Sequence, residues 1–442
     1  MLNLRTFCNS GENRRKLMPD RSIQPQIKDI SNIQIPGYTE YVLDNGIPVY
    51  EMNMGTQEIM KLEIIFKAGR PFEHQKLVAR TTAAMLREGT VTKKAAEIHE
   101  MVDFYGGTLS VPINLDTSNI ALYCLTKHFE KLLALLSEIL TEPSFPEEEL
   151  EIFKNNCKQR LQVDLTKNDV VAYRTITEKI FGKQHPYGYN SSPEVYNELT
   201  RKELLHHFDR NFHAGNCTLV ISGKTNGETI GLLNKYIGKT LSRKEVIKSN
   251  VISKDIAPQQ LKISSPDTLQ SAIRIGCKLF NRTHKDYANF YVLNTILGGY
   301  FGSRLMSKIR EEKGYTYNIF SSIDPMMFDG YFYVGTDVST QFVKPTIESI
   351  YEEFDNLKTN PIGEEELKMV RNYLMGFFLT NLDGAFNVAE LIKMEKIENL
   401  QKNYFSGIVN KVKNITSEEI MEQAQKYLNR ENMWEVIVGS EE

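Results

Sequence analysis

Arg310 and Tyr317 stand seven positions apart around a glycine, and they are residue types that can stabilise developing negative charge. A guanidinium and a phenol both donate hydrogen bonds, and donors fixed where an oxyanion forms lower its energy. They lie in a block that begins Gly298-Gly299-Tyr300-Phe301-Gly302-Ser303-Arg304-Leu305. It continues through Lys308-Ile309-Arg310-Glu311-Glu312-Lys313-Gly314 to Tyr315-Thr316-Tyr317. The glycines give a flexible entry, a helix places Leu305 and Ile309 on one side, and Gly314 stops it. Tyr315, Tyr317 and Ile319 then alternate as in a strand. Arg310 in the last helical turn and Tyr317 at the start of that strand can converge across Gly314. Taken alone, the same residues also suit a structural role, since Arg favours a helix C-terminus and Tyr forms strands well.

The second stretch with chemical content is Leu77 to Thr90, LVARTTAAMLREGT. As a helix it brings Arg80, Ala83 and Ala84 onto one face, because residues three and four apart lie above one another. Aligned on Met85, Leu86, Gly89 and Thr90, it resembles the H-x-x-E-H-M-L-x-x-G-T run of the pitrilysin and mitochondrial processing peptidase family. In that motif two histidines hold zinc and the glutamate activates water. Here Arg80 and Ala84 stand at the histidine positions and Ala83 at the glutamate position. A guanidinium repels Zn²⁺ and a methyl group has no lone pair. The family's third ligand, a glutamate on the next long helix, is also missing, since no Glu occurs between Glu151 and Glu178. Asp164 lies in that interval, but one carboxylate without its imidazoles holds zinc poorly.

The elements that position these residues can be read in order. Glu40 to Leu43 and Ile47 to Glu51 flank Asp44-Asn45-Gly46, a strong hairpin signal. Strand Leu62 to Phe66 precedes the Arg80 helix. A helix from about Lys93 stops at Gly106-Gly107, then come strands Thr108 to Ile113 and Asn119 to Leu125 and the apolar helix Phe129 to Leu140. A long helix opens at Pro146-Glu147-Glu148-Glu149, with proline in the first turn and carboxylates at the positive end of the dipole. Val170 to Phe181, the turn His185-Pro186-Tyr187-Gly188, a helix near Thr200 to Phe212 and strand Cys217 to Ser222 complete the half.

The second half repeats this order. FPEEEL from Phe145 recurs as IGEEEL from Ile362, an offset of 217 (362 − 145). LTRKEL from Leu199 recurs as ITSEEI from Ile415, an offset of 216 (415 − 199), which also maps Asn216 onto Asn432 and Gly223 onto Gly439. A duplicated domain of ordinary size follows. The expected division is a mobile arm at 1–34, an N-terminal α+β domain at 35–223, a linker at 224–260 and a homologous C-terminal α+β domain at 261–442.

Length and composition agree with this organisation. With 442 residues, 41% of them hydrophobic, the chain can build more than one core. A net charge of −3 and an isoelectric point near 6.3 make no case for nucleic acid or an anionic membrane surface. No apolar run approaches the roughly 18 residues that a membrane span needs. The N-terminus lacks a continuous apolar core of a signal peptide, and Met18 is an alternative start to Met1. Five widely spaced cysteines without a C-x-x-C pair fit reduced thiols and a cytoplasmic location.

Competing motifs are weak. His99-Glu100-Met101-Val102-Asp103 has Asp where a metalloprotease helix needs its second His, and reads as a solvated helix face. His206 and His207 are adjacent, so they point apart on a helix. No G-x-S-x-G elbow occurs, and Gly298-Gly299 with Gly302 lacks the P-loop lysine.

The resemblance covers about 400 residues and includes His185-Pro186-Tyr187-Gly188, Phe212 to Asn216 and the Gly298 block. It implies an α+β fold of two homologous domains, each a mainly antiparallel β-sheet backed by helices. It implies a non-catalytic subunit of a heterodimeric zinc peptidase, with no catalytic residue of its own, no metal site and no cofactor. Arg310 and Tyr317 would bind peptide substrate in trans, beside the metal of a zinc-bearing homologous subunit. The alternative is a structural or peptide-holding scaffold of the same fold, self-associating as a homodimer when alone.

Overall fold

The turn at Asp44-Asn45-Gly46 sets the first register. Gly46 adopts φ 82°, Leu43 O accepts its amide at 2.8 Å, and strands β1 (Thr39–Val42) and β2 (Pro48–Asn53) pair antiparallel on either side. This computed structural model describes residue 30 and residues 33–440, except 113, 247, 250, 253, 255 and 267. Strands β3 (Ile59–Phe66), β4 (Thr108–Ser110), β5 (Ser118–Leu125) and β6 (Cys217–Gly223) complete a six-stranded sheet ordered β1-β2-β6-β3-β5-β4. The strands β7 (Gln260–Ser264), β8 (Gln270–Leu279), β9 (Ile319–Pro325), β10 (Gly330–Ser339) and β11 (Trp434–Gly439) form a second sheet ordered β7-β11-β8-β10-β9.

The two sheets share one wiring. Each has a single parallel pair, β2 with β6 and β7 with β11, and is otherwise antiparallel. The helices repeat with it. Helices Glu147–Asp164 and Glu364–Thr380 both open on three glutamates at the positive end of the dipole. Helices Arg201–Asn211 and Ser417–Tyr427 are both capped by threonine, Thr200 accepting from Glu203 N at 3.4 Å and Thr416 from Glu419 N at 3.3 Å. This is the duplicated α+β fold that the sequence offsets predict.

Each half lends a helix to the other's sheet. Helix Asn168–Phe181 packs Ala172, Ile176 and Ile180 against Ala272, Val436 and Val438 of the second sheet. Helix Gly384–Ile397, 216 positions later (384 − 168), packs Val388, Ala389 and Ile392 against Met52, Ile65 and Val220 of the first. Each valine, isoleucine or methionine among them, fully buried, stabilises by roughly 1.5–3 kcal/mol. Charge reinforces the second contact: Lys61 Nζ lies 2.9 Å from Glu63 and 2.6 Å from Glu390, and Lys393 Nζ lies 2.8 Å from Glu63. Pairing is what lets strand β3 bury Lys61 and Glu63 at its centre.

Several boundaries differ from the sequence expectation. Strand β4 ends at Ser110, and Ile113 lies outside the described residues. Within the 224–260 segment, Thr229–Leu233 is helical and passes into a π-helical turn, Asn234–Gly238. Its Leu233 and Ile237, with Leu241, join the first core, an apolar spacing that a polar linker average conceals. Of the arm at 1–34, residues 1–29, 31 and 32 lie outside the described residues, with Cys8 and both candidate starts. The described cysteines, Cys124, Cys157, Cys217 and Cys277, are free, and burial pushes the Cys124 and Cys277 thiols up to about 12. Among the described residues no helix is long and apolar enough to cross a membrane.

Candidate functional site

The helix carrying Arg80 is shorter than its sequence pattern, Val78–Met85 instead of Leu77 to Thr90. The chain enters it through Leu77 at φ 67°, and the Glu73 carboxylate then accepts from Ala79 N at 3.0 Å and from the Tyr189 hydroxyl at 2.7 Å. Burial pushes the Glu73 carboxyl up to about 7, while Tyr189 and Arg70 pull it down. The chain leaves through Gly89 at φ 157°, where an added Cβ would come within 2.7 Å of Ser144 Oγ. Val78, Ala79, Thr81, Thr82, Ala83 and Met85 are buried, whereas Arg80 is exposed.

Arg80, Ala83 and Ala84 face a cavity of about 390 Å³, with Arg70 and Arg87 beside them and Asn156, Cys157 and Arg160 opposite, on the long helix Glu147–Asp164. These residues do not fit zinc. The positions that would bear imidazoles carry a cation and a methyl group, and no carboxylate lines the cavity. Asp164 ends the long helix and gives its carboxylate to Lys167 at 2.8 Å. Among the described residues no group of three or more His, Cys, Asp or Glu could hold a metal ion. His206 and His207 do not act together either. His207 is fully buried with Nε2 3.1 Å from Ala68 O, and burial pushes it down to about 3, while His206 Nε2 lies 3.4 Å from Arg210.

Arg310 and Tyr317 do come together, on different local structure. Residues Met306–Glu312 form a π-helical turn, with Lys308 O accepting the amide of Lys313 five residues on at 3.1 Å. Leu305, Met306 and Ile309 anchor it in the core. Gly314, at φ 65°, reverses the chain. Tyr315 to Asn318 are not strand as the alternation suggested: β9 begins at Ile319. Tertiary contacts override the alternation, since Tyr315 stacks on Phe342 at 4.8 Å and Thr316 Oγ1 donates to Asp337 O at 2.8 Å. The Arg310 guanidinium lies 5.3 Å from the Tyr317 ring centre and 4.6 Å from that of Phe301, so a cation sits between two aromatic rings. Tyr317 is 87% exposed and Phe301 63%. Phe301 escaped the sequence reading; its place in the glycine-rich entry gave no sign that it folds back over Arg310.

A profile described as insulinase, peptidase family M16, matches residues 53–187, and one described as peptidase M16 inactive domain matches residues 198–374. The chain is 21% identical over 352 residues to an uncharacterized zinc protease, YmxG, of Bacillus subtilis, covering 78% of this chain and 84% of that one. It is 23% identical over 379 residues to the non-peptidase homolog YmxG of Helicobacter pylori, covering 80% and 87%. Among solved structures, a peptidase M16 inactive domain from Pseudomonas fluorescens superposes with a TM-score of 0.83 at 22% identity, covering 92% of this chain and 99% of that one.

Proposed function

The chain belongs to the M16 peptidase family, and on that premise we propose that it is the non-catalytic subunit of a heterodimeric zinc peptidase. It lends Arg310 and Tyr317 to a zinc-bearing homologous partner, and the two chains enclose a peptide between them. One observation carries this reading: a helix face that holds zinc in the family presents Arg80, Ala83 and Ala84, while elsewhere a half-buried guanidinium is kept beside a phenol that is open to solvent. Donors so placed serve a charge that develops on a substrate held by another chain. Strand β9, which follows Tyr317, is a sheet edge among the described residues, and a sheet edge suits an extended peptide. The reading takes 35–223 and 261–442 as the two domains, joined through 224–260, and places the protein in the cytoplasm, where its free thiols stay reduced.

The test is reconstitution. The purified chain is assayed for zinc content and for cleavage of an unfolded peptide, alone and mixed with a homologue from the same organism that has an intact H-x-x-E-H motif. The expected result is substoichiometric zinc and no turnover alone, with turnover rising well above that of the partner alone on mixing. Chelator-sensitive cleavage by the isolated chain, or self-association with no effect on any partner, would overturn the reading.

A further inference from the structure

The cavity that cannot hold a cation has the opposite character. Four arginines line it, Arg70, Arg80, Arg87 and Arg160, and its lining includes no Asp or Glu. They converge from three separate segments of the chain. Arg70 is fixed, donating to the Pro186 and Tyr189 carbonyls at 3.2 Å each and lying 4.2 Å from the Tyr189 ring centre. Arg87 has a buried Nε with no hydrogen-bond partner, 3.7 Å from its neighbour's Glu88 carboxylate. Among the described residues neither Arg80 nor Arg160 is bonded to a carboxylate. Asp164, one turn along from Arg160, is already bonded to Lys167. The nearby carboxylates, Glu88 by Arg87, Glu73 by Arg70 and Asp164 by Arg160, all lie outside the lining, so the space itself is walled by cations, and an anion entering it relieves their mutual repulsion.

We propose that this cavity binds the carboxylate of an acidic peptide. Guanidinium forks match a carboxylate in two parallel hydrogen bonds. The space is far larger than a bare ion needs, and Phe153 and the methyl groups of Ala83 and Ala84 give it apolar wall for a side-chain stem. That the ligand is a peptide rests on the reading above of a peptide-handling subunit. That it is anionic rests on the arginines alone.

The test uses the full chain without any partner, so its outcome is independent of the reconstitution assay. A fluorescein-labelled hexaglutamate peptide is titrated by anisotropy against wild type and the Arg80→Gln/Arg160→Gln double variant, with hexaglutamine as the neutral control and inorganic phosphate as competitor. Both replaced residues are exposed, so the variant keeps its fold, which its melting temperature checks. The expected result is binding of hexaglutamate only, weakened about tenfold in the variant and by added salt. Equal binding of hexaglutamine, equal affinity in the variant, or no binding overturns the proposal. Displacement by phosphate at the peptide's own concentration overturns its peptide half and leaves a site for small inorganic anions.

Discussion

The Arg80 face and the Arg310 turn contrast in scaffold and in chemistry. Around Arg80 the scaffold is intact down to its buried residues, Val78, Thr81, Thr82 and Met85, and its capping carboxylate Glu73, yet the outward positions carry nothing that holds a metal. Around Arg310 the scaffold is irregular, a π-helical turn pinned by Leu305 and Ile309, yet the outward residues form an ordered cation and aromatic group. In both regions the buried side chains, Val78 and Met85 in one and Leu305 and Ile309 in the other, hold the local architecture without any of the outward groups. A site's chemistry and a site's architecture are therefore separable, and each can be tested without the other.

The largest expected effect falls on the second region. In the reconstituted pair, Arg310→Ala should lower kcat/KM about 10²- to 10³-fold, the cost of removing one donor to an oxyanion, with Tyr317→Phe acting in the same direction. Arg80→Ala in the same assay should change it by less than about threefold unless the peptide is acidic. Unchanged kcat/KM in both Arg310→Ala and Tyr317→Phe would erase the contrast.

The scaffolds should instead behave alike. Met85 and Ile309 are both 0% exposed, one beneath each region. Truncating either to alanine leaves a cavity and should cost about 2–5 kcal/mol in denaturant unfolding. A loss below about 1 kcal/mol at only one of them would show that the two supports are not equivalent.

How far sequence reaches is also different in the two regions. Asn45-Gly46, the triple-glutamate helix starts and the repeat offsets near 216 are local or periodic signals, and they led directly to the duplicated α+β fold. The absence of zinc ligands was equally legible, because it depends only on residue types three and four apart on one helix. The π-helical turn was not, since an i+5 bond is chosen by packing of Leu305 and Ile309, and neither was the departure of Tyr315 from strand once Phe342 became available to stack on. The arginine-lined cavity was hidden for a related reason: Arg70, Arg80 and Arg160 meet only when three segments fold together, and no spacing in the chain encodes that.

Glu73 provides a smaller, pH-dependent handle on the first scaffold. In the folded chain its carboxyl keeps its proton up to about 7, whereas the unfolded carboxyl releases it near 4.5. The folded state therefore binds more protons between these values, and this group's contribution is present at acid pH and lost as pH rises through that window. The melting temperature of wild type relative to Glu73→Gln should fall by roughly 2 °C between pH 5 and pH 8. A pH-independent difference would mean that the carboxyl ionises freely at its place beside Ala79 and Tyr189.

The smallest effect is the most discriminating between the two arginines. Arg310 lies against two aromatic rings, so Arg310→Ala should cost the isolated chain about 0.5–1 kcal/mol of stability even where no substrate is present. Arg80 has no bonded carboxylate among the described residues and shares its cavity with three other guanidinium groups. Its removal should leave stability within about 0.5 kcal/mol of wild type, and any change should be a gain at low ionic strength that fades as salt screens the remaining charges. Chemical denaturation of both variants in urea, at two salt concentrations, separates these cases. A loss of about 2 kcal/mol or more at Arg80 would make it a structural residue, and the charge around the cavity would then be explained by the fold instead of by a ligand.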